Sequence, residues 1–599
     1  MTDDDQKKVV PIDYTHRSYE SIRRDLLGIA ERLYPATFQD WSEASFGSLM
    51  IDAVSYVGDQ LSFYLDYNTN ETFLDTAYQY DNILRLGRSL GYKYRGRPST
   101  FGPVAFFVKV PASSTGIGPD TSYIPILKRG TKVGTSGGLG FILTENIDFG
   151  NPRNSTVVAT TDTSTGAPTS FAIKAYGNVV SGRFGQEQIT VGAYTSFLKV
   201  SLSSANISEI VSVVDAAGNE YYEVDYLAQD MVYEEIPNNN FRQDNVPSVI
   251  KPLLVSRKFV LIQDRNSAAL QFGSGDYNST NVVAQPQSVA ADVFGKSYVT
   301  DMTFDPTRVS KNQNFGVVPQ NTTLTVTYRA TNPTNSNVSV GGLNAVSSVN
   351  AEFKNRNQLT TAKINDVIAS LEVTNEVPIT GDVSNLTSGE LKRQVYDTFP
   401  TQNRAVTQAD YENLTYRMAA KYGSIARCSV QRDPNSLKRN LNMYVISEDK
   451  FGLLTTTNST IKNNLKTWLN NYRMLNDTID ILDAYIINLG IEFIIKAAVG
   501  VDKYSLLDSA IGALRRYFST RLFIGEHFSI SNVYGELKKV PGLLDVTNVK
   551  ITNKAGNQYA TTEFDIDSNI SPEGTYLTCP KNAIFEIKFP GVDIKGKIR

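Results

Sequence analysis

A stripe of apolar residues appears early in the chain. After "SEASFGS", Met50, Val54, Val57, Leu61 and Tyr64 follow one another at spacings of 4, 3, 4 and 3. This spacing predicts a helix with a heptad seam about two heptads long. So short a seam is marginal alone, so it either closes a helical hairpin or awaits a partner helix. Phe73, Ala77, Tyr80, Leu84 and Leu90 predict a second helix, with Gly91 placed to end it. Residues 14–95 read as helical, and 1–98 as an N-terminal helical segment.

The pattern changes near residue 99. "FGPVAFFVKV", "SFLKVSLS", "KFVLIQD" and "LTVTYRA" are short apolar runs between clusters of Asn, Ser, Thr and Gly. They predict a β-rich region over 99–355, in two lobes, one of them a surface lobe near 150–315. Two glycine-rich spots lie here. "GTSGGLG" (134–140) lacks the Lys-Ser/Thr ending of a phosphate loop, and "FGSGD" (272–276) is not GxGxxG. Both read as turns.

Beyond 355, helices and strands alternate. Leu391, Val395 and Phe399 mark one helix. The next opens with Thr407 as N-cap and Asp410 three residues later, which is capping-box spacing, and Tyr411, Leu414 and Met418 continue it. Strands "SIARCSVQ" and "NMYVIS" follow, then a helix carrying Ile461, Leu465, Trp468, Tyr472 and Leu475. Ile487, Leu489, Ile491, Phe493, Ile495, Ala497 and Val499 alternate strictly, as a half-buried strand does. Leu507, Ile511, Leu514 and Phe518 give a further helix, Ser531 can cap a short one, and "IFEIKF" reads as a last strand. The fold class is therefore α+β and multidomain. N-terminal helices lead into a β-rich middle, then into small α/β sandwiches of ferredoxin-like kind over 356–484 and 485–599.

Composition narrows the chemistry. The chain has 599 residues, a length that fits about four domains. Its 58 Lys and Arg balance 61 Asp and Glu, without a basic run, so a nucleic-acid partner is not expected. Two cysteines and two histidines exclude a disulfide framework and leave little room for metal or triad chemistry. No cofactor, metal or catalytic residue is expected. No apolar run approaches the ~20 residues that span a bilayer, so no membrane insertion is expected either.

Several blocks, in order, resemble the baseplate-J family. They are "YIPILKRGTKVGTSGGLGFILTENIDF", "LQFGSGD", "LTVTYRATNPTNSN", and "LEVTNEVPITGD" followed by "GELKRQVYDTFPTQNRAVTQADYENL". The last is "FIGEHFSISNVYGELKKVPGLLDVTNVKI", with Gly525, Glu526, Pro541 and Gly542 in the family's C-terminal pattern. The "QNRAVTxxDY" form, the helical N-terminus and the length favour the larger wedge-subunit relatives of T-even-type phage, those that form the inner ring of the baseplate.

The resemblance implies a structural protein of the virion tail baseplate, assembled in the host bacterial cytoplasm. It implies N-terminal helices bundled with other wedge proteins, including sheath-initiator-like and long wedge subunits. It also implies C-terminal domains that pair into a homodimer and a ring around the hub, which rearranges on tail contraction and genome ejection. Arg404, Val406, Thr407, Asp410 and Tyr411 become a scaffold motif, with Arg404 and Tyr411 locking their helix to the neighbouring sheet. Leu514, Tyr517, Phe518, Phe523 and Phe528 become candidates for self-association, because so much apolar surface near one helix calls for cover. Two other classes stay open. A tail-associated glycan hydrolase needs two carboxylates roughly 5–9.5 Å apart, and 61 acidic residues leave that possible. A receptor-binding protein fits the Asn/Ser/Thr-rich middle, although repeats and long heptad runs are not visible. A non-viral contractile injection system would need the same chemistry as a phage.

Overall fold

The computed structural model describes residues 18–33, 45–94, 96–237, 248–265, 267–275, 315–332, 334–436 and 440–599. The helical expectation at 14–17 and 34–44, and the 276–314 part of the surface lobe, lie outside these residues.

The chain divides into two units, the first made of residues 1–94 and 385–402. In it, α1 (Tyr19–Leu33) packs on α2 (Phe46–Glu71), and α3 (Tyr80–Ser89) packs on α4 (Ser388–Thr401). Helix α3 starts later than its apolar pattern predicts, so Phe73 precedes it and is exposed. Gly91 ends it at φ 90°, a left-handed position that glycine adopts without strain. Ile83 and Leu84 meet Leu391 and Val395 in a small core. The approach is close at Gly87, where a Cβ would stand 2.9 Å from Val395 Cγ2. Thus α4, which the linear pattern assigns to 356–484, belongs with the N-terminal helices.

Among the described residues the second unit holds seven sheets, and the four with four or more strands form its layers. The first is a seven-stranded sheet running Leu343–Ser348, Lys132–Thr135, Gly140–Leu143, β2 (Pro168–Ser181), β1 (Phe101–Pro111) and Glu372–Thr374, with Ser155–Thr161 also on β2. Val104, Phe106, Val108 and Val110 alternate inward along β1, and the helix Thr361–Ala369 covers them with Ile364 and Val367. The second sheet also has seven strands, six of them from 183–223 and 258–272 and the seventh Thr322–Ala330. Its first strand, Arg183–Val191, returns towards its last, Lys199–Leu202, where the Ser203 N–H donates to Glu187 Oε2 at 3.1 Å. Most of this nearly closed barrel falls in the expected lobe, but Thr322–Ala330 lies beyond it, and Ser155–Thr161 and β2, expected in the lobe, belong to the first sheet. Phe259, Leu270, Phe272 and Val326 fill the barrel.

The third layer is a four-stranded sheet centred on β4 (Asn440–Glu448), flanked by β3 (Arg427–Arg432) and by β5 (Thr478–Asp483). Helices α5 (Gln408–Tyr416) and α6 (Ser459–Asn470) cover it. Because α6 ends at Asn470, Leu475 falls beyond it and is 94 % exposed.

The last layer turns on β6 (Tyr485–Ala497), whose Ile487, Leu489, Ile491, Phe493 and Ile495 are buried as the alternation predicts, whereas Ala497 is half-buried and Val499 falls beyond the strand end and is exposed. β7 (Leu543–Lys554) runs antiparallel along one edge, while β8 (Ala583–Glu586) and β9 (Ile594–Ile598) share the other, both parallel. Two short strands on one edge leave the sheet three strands wide, a departure from the ferredoxin-like expectation. Helices α7 (Lys503–Tyr517) and α8 (Ile530–Lys538) lie against this sheet.

Candidate interaction surface on the N-terminal helices

Helix α2 begins at Ser45, whose side chain accepts from the Ser48 N–H at 3.1 Å. At its other end Glu71 accepts from the Tyr78 N–H and from Asn82 Nδ2, both at 2.8 Å. The helix is thereby fixed at both ends. Its inner face is small and polar. Ser48 and Ser55 are buried, and Arg23 of α1 reaches Asp52 at 2.5 Å. That guanidinium, together with the Tyr19 hydroxyl, holds the Asp52 carboxyl below its usual range. Gly58 lets α1 approach, since a Cβ there would stand 3.1 Å from Ile22 Cδ1.

The apolar side of α2 therefore faces away from α1. Met50, Val54, Val57, Leu61 and Tyr64 are 52–61 % exposed. A second row, Leu49, Tyr56 and Phe63, repeats every seventh residue and is 56–61 % exposed. At 3.6 residues per turn the rows lie about 120° apart round the helix. Ordinary amphipathic helices bury the apolar arc against their own core, and α2 reverses this. The sequence pattern predicts the first row. The second escapes it, because a seven-residue step is invisible to a search for alternating threes and fours.

Most of the other predicted residues lie in caps, packed interiors or turns. Thr407 and Asp410 form the capping box: the Asp410 N–H donates to Thr407 Oγ1 at 3.2 Å, and Asp410 Oδ2 accepts from the Thr407 and Val406 N–H groups. Tyr411 is buried and donates to Asp477 Oδ2 at 2.8 Å, and its burial raises the phenol's pKa. Arg404 is a correction. It is exposed and makes no hydrogen bond among the described residues. The tie falls to its neighbour, since the buried Ala405 donates its N–H to Tyr472 O at 2.9 Å. Val406 is exposed. Helix α5 also closes the free edge of β3. The Cys428 N–H donates to the Tyr416 hydroxyl at 3.0 Å and the Val430 N–H to Glu412 Oε1 at 3.1 Å. Covering an edge in this way prevents unwanted strand pairing.

The self-association residues need a second correction. Leu514 and Phe528 are interior, and Phe518 stacks on Phe528 with ring centroids 5.3 Å apart. Asn532 Nδ2 donates to the Tyr517 hydroxyl at 3.0 Å, and Phe523 lies under the Arg427 guanidinium. Two of the five, Leu514 and Phe528, are therefore taken up by the interior, while Tyr517, Phe518 and Phe523 stay partly exposed. Gly525 and Gly542 take φ of 78° and 88°, and Glu526 accepts from the Phe523 N–H at 2.6 Å, so this motif builds turns. Pro541 stands in the turn that leads into β7.

Among the described residues no group of three or more His, Cys, Asp or Glu could hold a metal, and no helix is long and apolar enough to cross a membrane.

Residues 18–89 match the profile of a family described as bacteriophage baseplate protein, N-terminal domain. The match covers α1, α2 and α3 and no further part of the chain. No curated protein gives a sequence match. Among solved structures the chain is similar to the anti-feeding prophage baseplate at 10 % identity, over 95 % of this chain and 98 % of that one, with a TM-score of 0.24. It is also similar to the type VI secretion system TssK-TssF-TssG baseplate subcomplex at 8 % identity, over 73 % and 96 %, with a TM-score of 0.23. At such TM-scores neither likeness bears on the fold.

Proposed function

We propose that this chain is a structural subunit of a contractile-tail baseplate, and that α2 joins it to helices of another baseplate protein. One observation carries the reading. On the segment that matches a baseplate N-terminal domain, the long helix turns its polar face inward and its apolar rows outward. Eight large apolar residues on one helix form a patch that a soluble subunit covers in its working state. Heptad spacing suits a helical partner, which can insert its own side chains between them.

The baseplate-J resemblance supports the finer assignment, a wedge subunit of the tail baseplate in a ring around the hub, assembled in the host cytoplasm. Pairing of C-terminal domains rests on that resemblance alone, because Leu514 and Phe528 are spent on the domain's own core. The function is assembly, and no catalytic role is assigned.

The test is co-expression with the baseplate proteins encoded beside it. Val57 is exposed, so Val57→Asp leaves the melting temperature unchanged and abolishes co-purification of the helical partner. Undiminished co-purification contradicts the proposal.

A further inference from the structure

The two rows on α2 differ in what borders them. The stretch Phe46–Glu71 contains Asp52, Asp59, Asp66 and Glu71 and no Lys or Arg. Three of these acids stand three residues after the second row: Leu49 precedes Asp52, Tyr56 precedes Asp59, and Phe63 precedes Asp66. On a helix, residues three apart are neighbours on the surface. An acidic ladder at heptad spacing therefore runs along one side of the Leu49–Tyr56–Phe63 row. The Met50–Tyr64 row has no such border, since Phe46, Ile51, Ala53, Gly58, Gln60 and Leu65 flank it without charge. Arg23 occupies Asp52, and Glu71 caps the turn that follows. Asp59 and Asp66 are partly exposed and make no ion pair or hydrogen bond among the described residues.

Resting on the reading of α2 as a partner-binding helix, we propose that the helix docked on Leu49, Tyr56 and Phe63 is basic, with Lys or Arg at heptad spacing opposite Asp59 and Asp66. Apolar contact supplies the attraction and the charge ladder selects the partner and its register, as flanking charges do in coiled coils. A second copy of α2 is a poor occupant, because it has no cation to offer. Tyr56 and Phe63 strengthen the choice, since exposed ring faces attract Lys and Arg as well.

Two synthetic helical peptides of three heptads test this on the full-length protein. They share a Leu seam and carry either Lys or Glu at the flanking positions. In fluorescence anisotropy at low salt the Lys peptide binds more tightly, by roughly tenfold for two exposed pairs gained against two repulsions. The gap closes as salt is raised. The Asp59→Lys/Asp66→Lys variant, with its helix content confirmed by circular dichroism, reverses the preference. Equal affinities, no binding of either peptide, or a preference unchanged in the variant would each overturn the proposal. Val57 lies on the other row. If Val57→Asp still breaks co-purification while the peptides show no charge preference, the assembly role stands and this inference falls.

Discussion

The hydroxyl of Tyr411 donates to Oδ2 of Asp477 across 2.8 Å, joining positions 66 residues apart in the chain. Both residues are buried. Tyr411→Phe keeps the ring and removes the donor, which leaves a desolvated carboxylate oxygen short of a partner. The expected cost is ~1–3 kcal/mol of stability, read by denaturant unfolding. A variant as stable as the wild type would show that this bond adds nothing to the hold of α5 on the sheet.

Gln402 closes α4 at φ 51° and ψ −123°. These dihedrals are those of the first central position of a type II′ turn, a region where glycine is at ease and a Cβ is crowded. Gln402→Gly should raise the melting temperature through relief of ~1 kcal/mol or more, offset in part by added freedom of the unfolded chain. A lower melting temperature would mean that the side chain's own contacts outweigh the strain.

Glu586 sits where β8 meets the strand Leu454–Thr455. Burial pushes its carboxyl above the usual value of 4.5, against the pull of donors from the Leu454 N–H and Asn488 Nδ2. The folded state therefore holds the proton more tightly than the unfolded chain. Its contribution favours folding fully below the ordinary Glu pKa and is lost as pH rises through the raised one. Relative to Glu586→Gln, the wild type should gain stability as pH falls from 7 towards 4.5. A constant difference, or one of opposite sign, would contradict this.

What the sequence reveals and what it hides have physical causes. Caps and periodicities are local, so the Thr407–Asp410 box, the alternation through β6 and the Met50–Tyr64 row are legible in the residues themselves. Partnerships between distant segments are not local. Nothing near Leu391 says that it packs with Ile83 and Leu84. Nothing near Phe528 says that Leu577 and Phe518 will cover it, which is why an interior reads as an exposed face. Arg404 misleads for a related reason, because the buried tie at that point is the backbone of Ala405. The acidic border of the second α2 row stands at a fixed three-residue offset, a signal that is also present in the sequence.

The outward rows of α2 are the centre of the account, and covalent labelling measures them directly. The native thiols make a quiet background: Cys428 and Cys579 are buried, and burial pushes Cys579 up to about 12. A Leu61→Cys variant places one reactive thiol on the first row, at a position 61 % exposed. Maleimide labelling should proceed freely in the isolated protein and be strongly suppressed in assembled baseplates. Equal labelling in both would contradict the claim that α2 is covered by a partner.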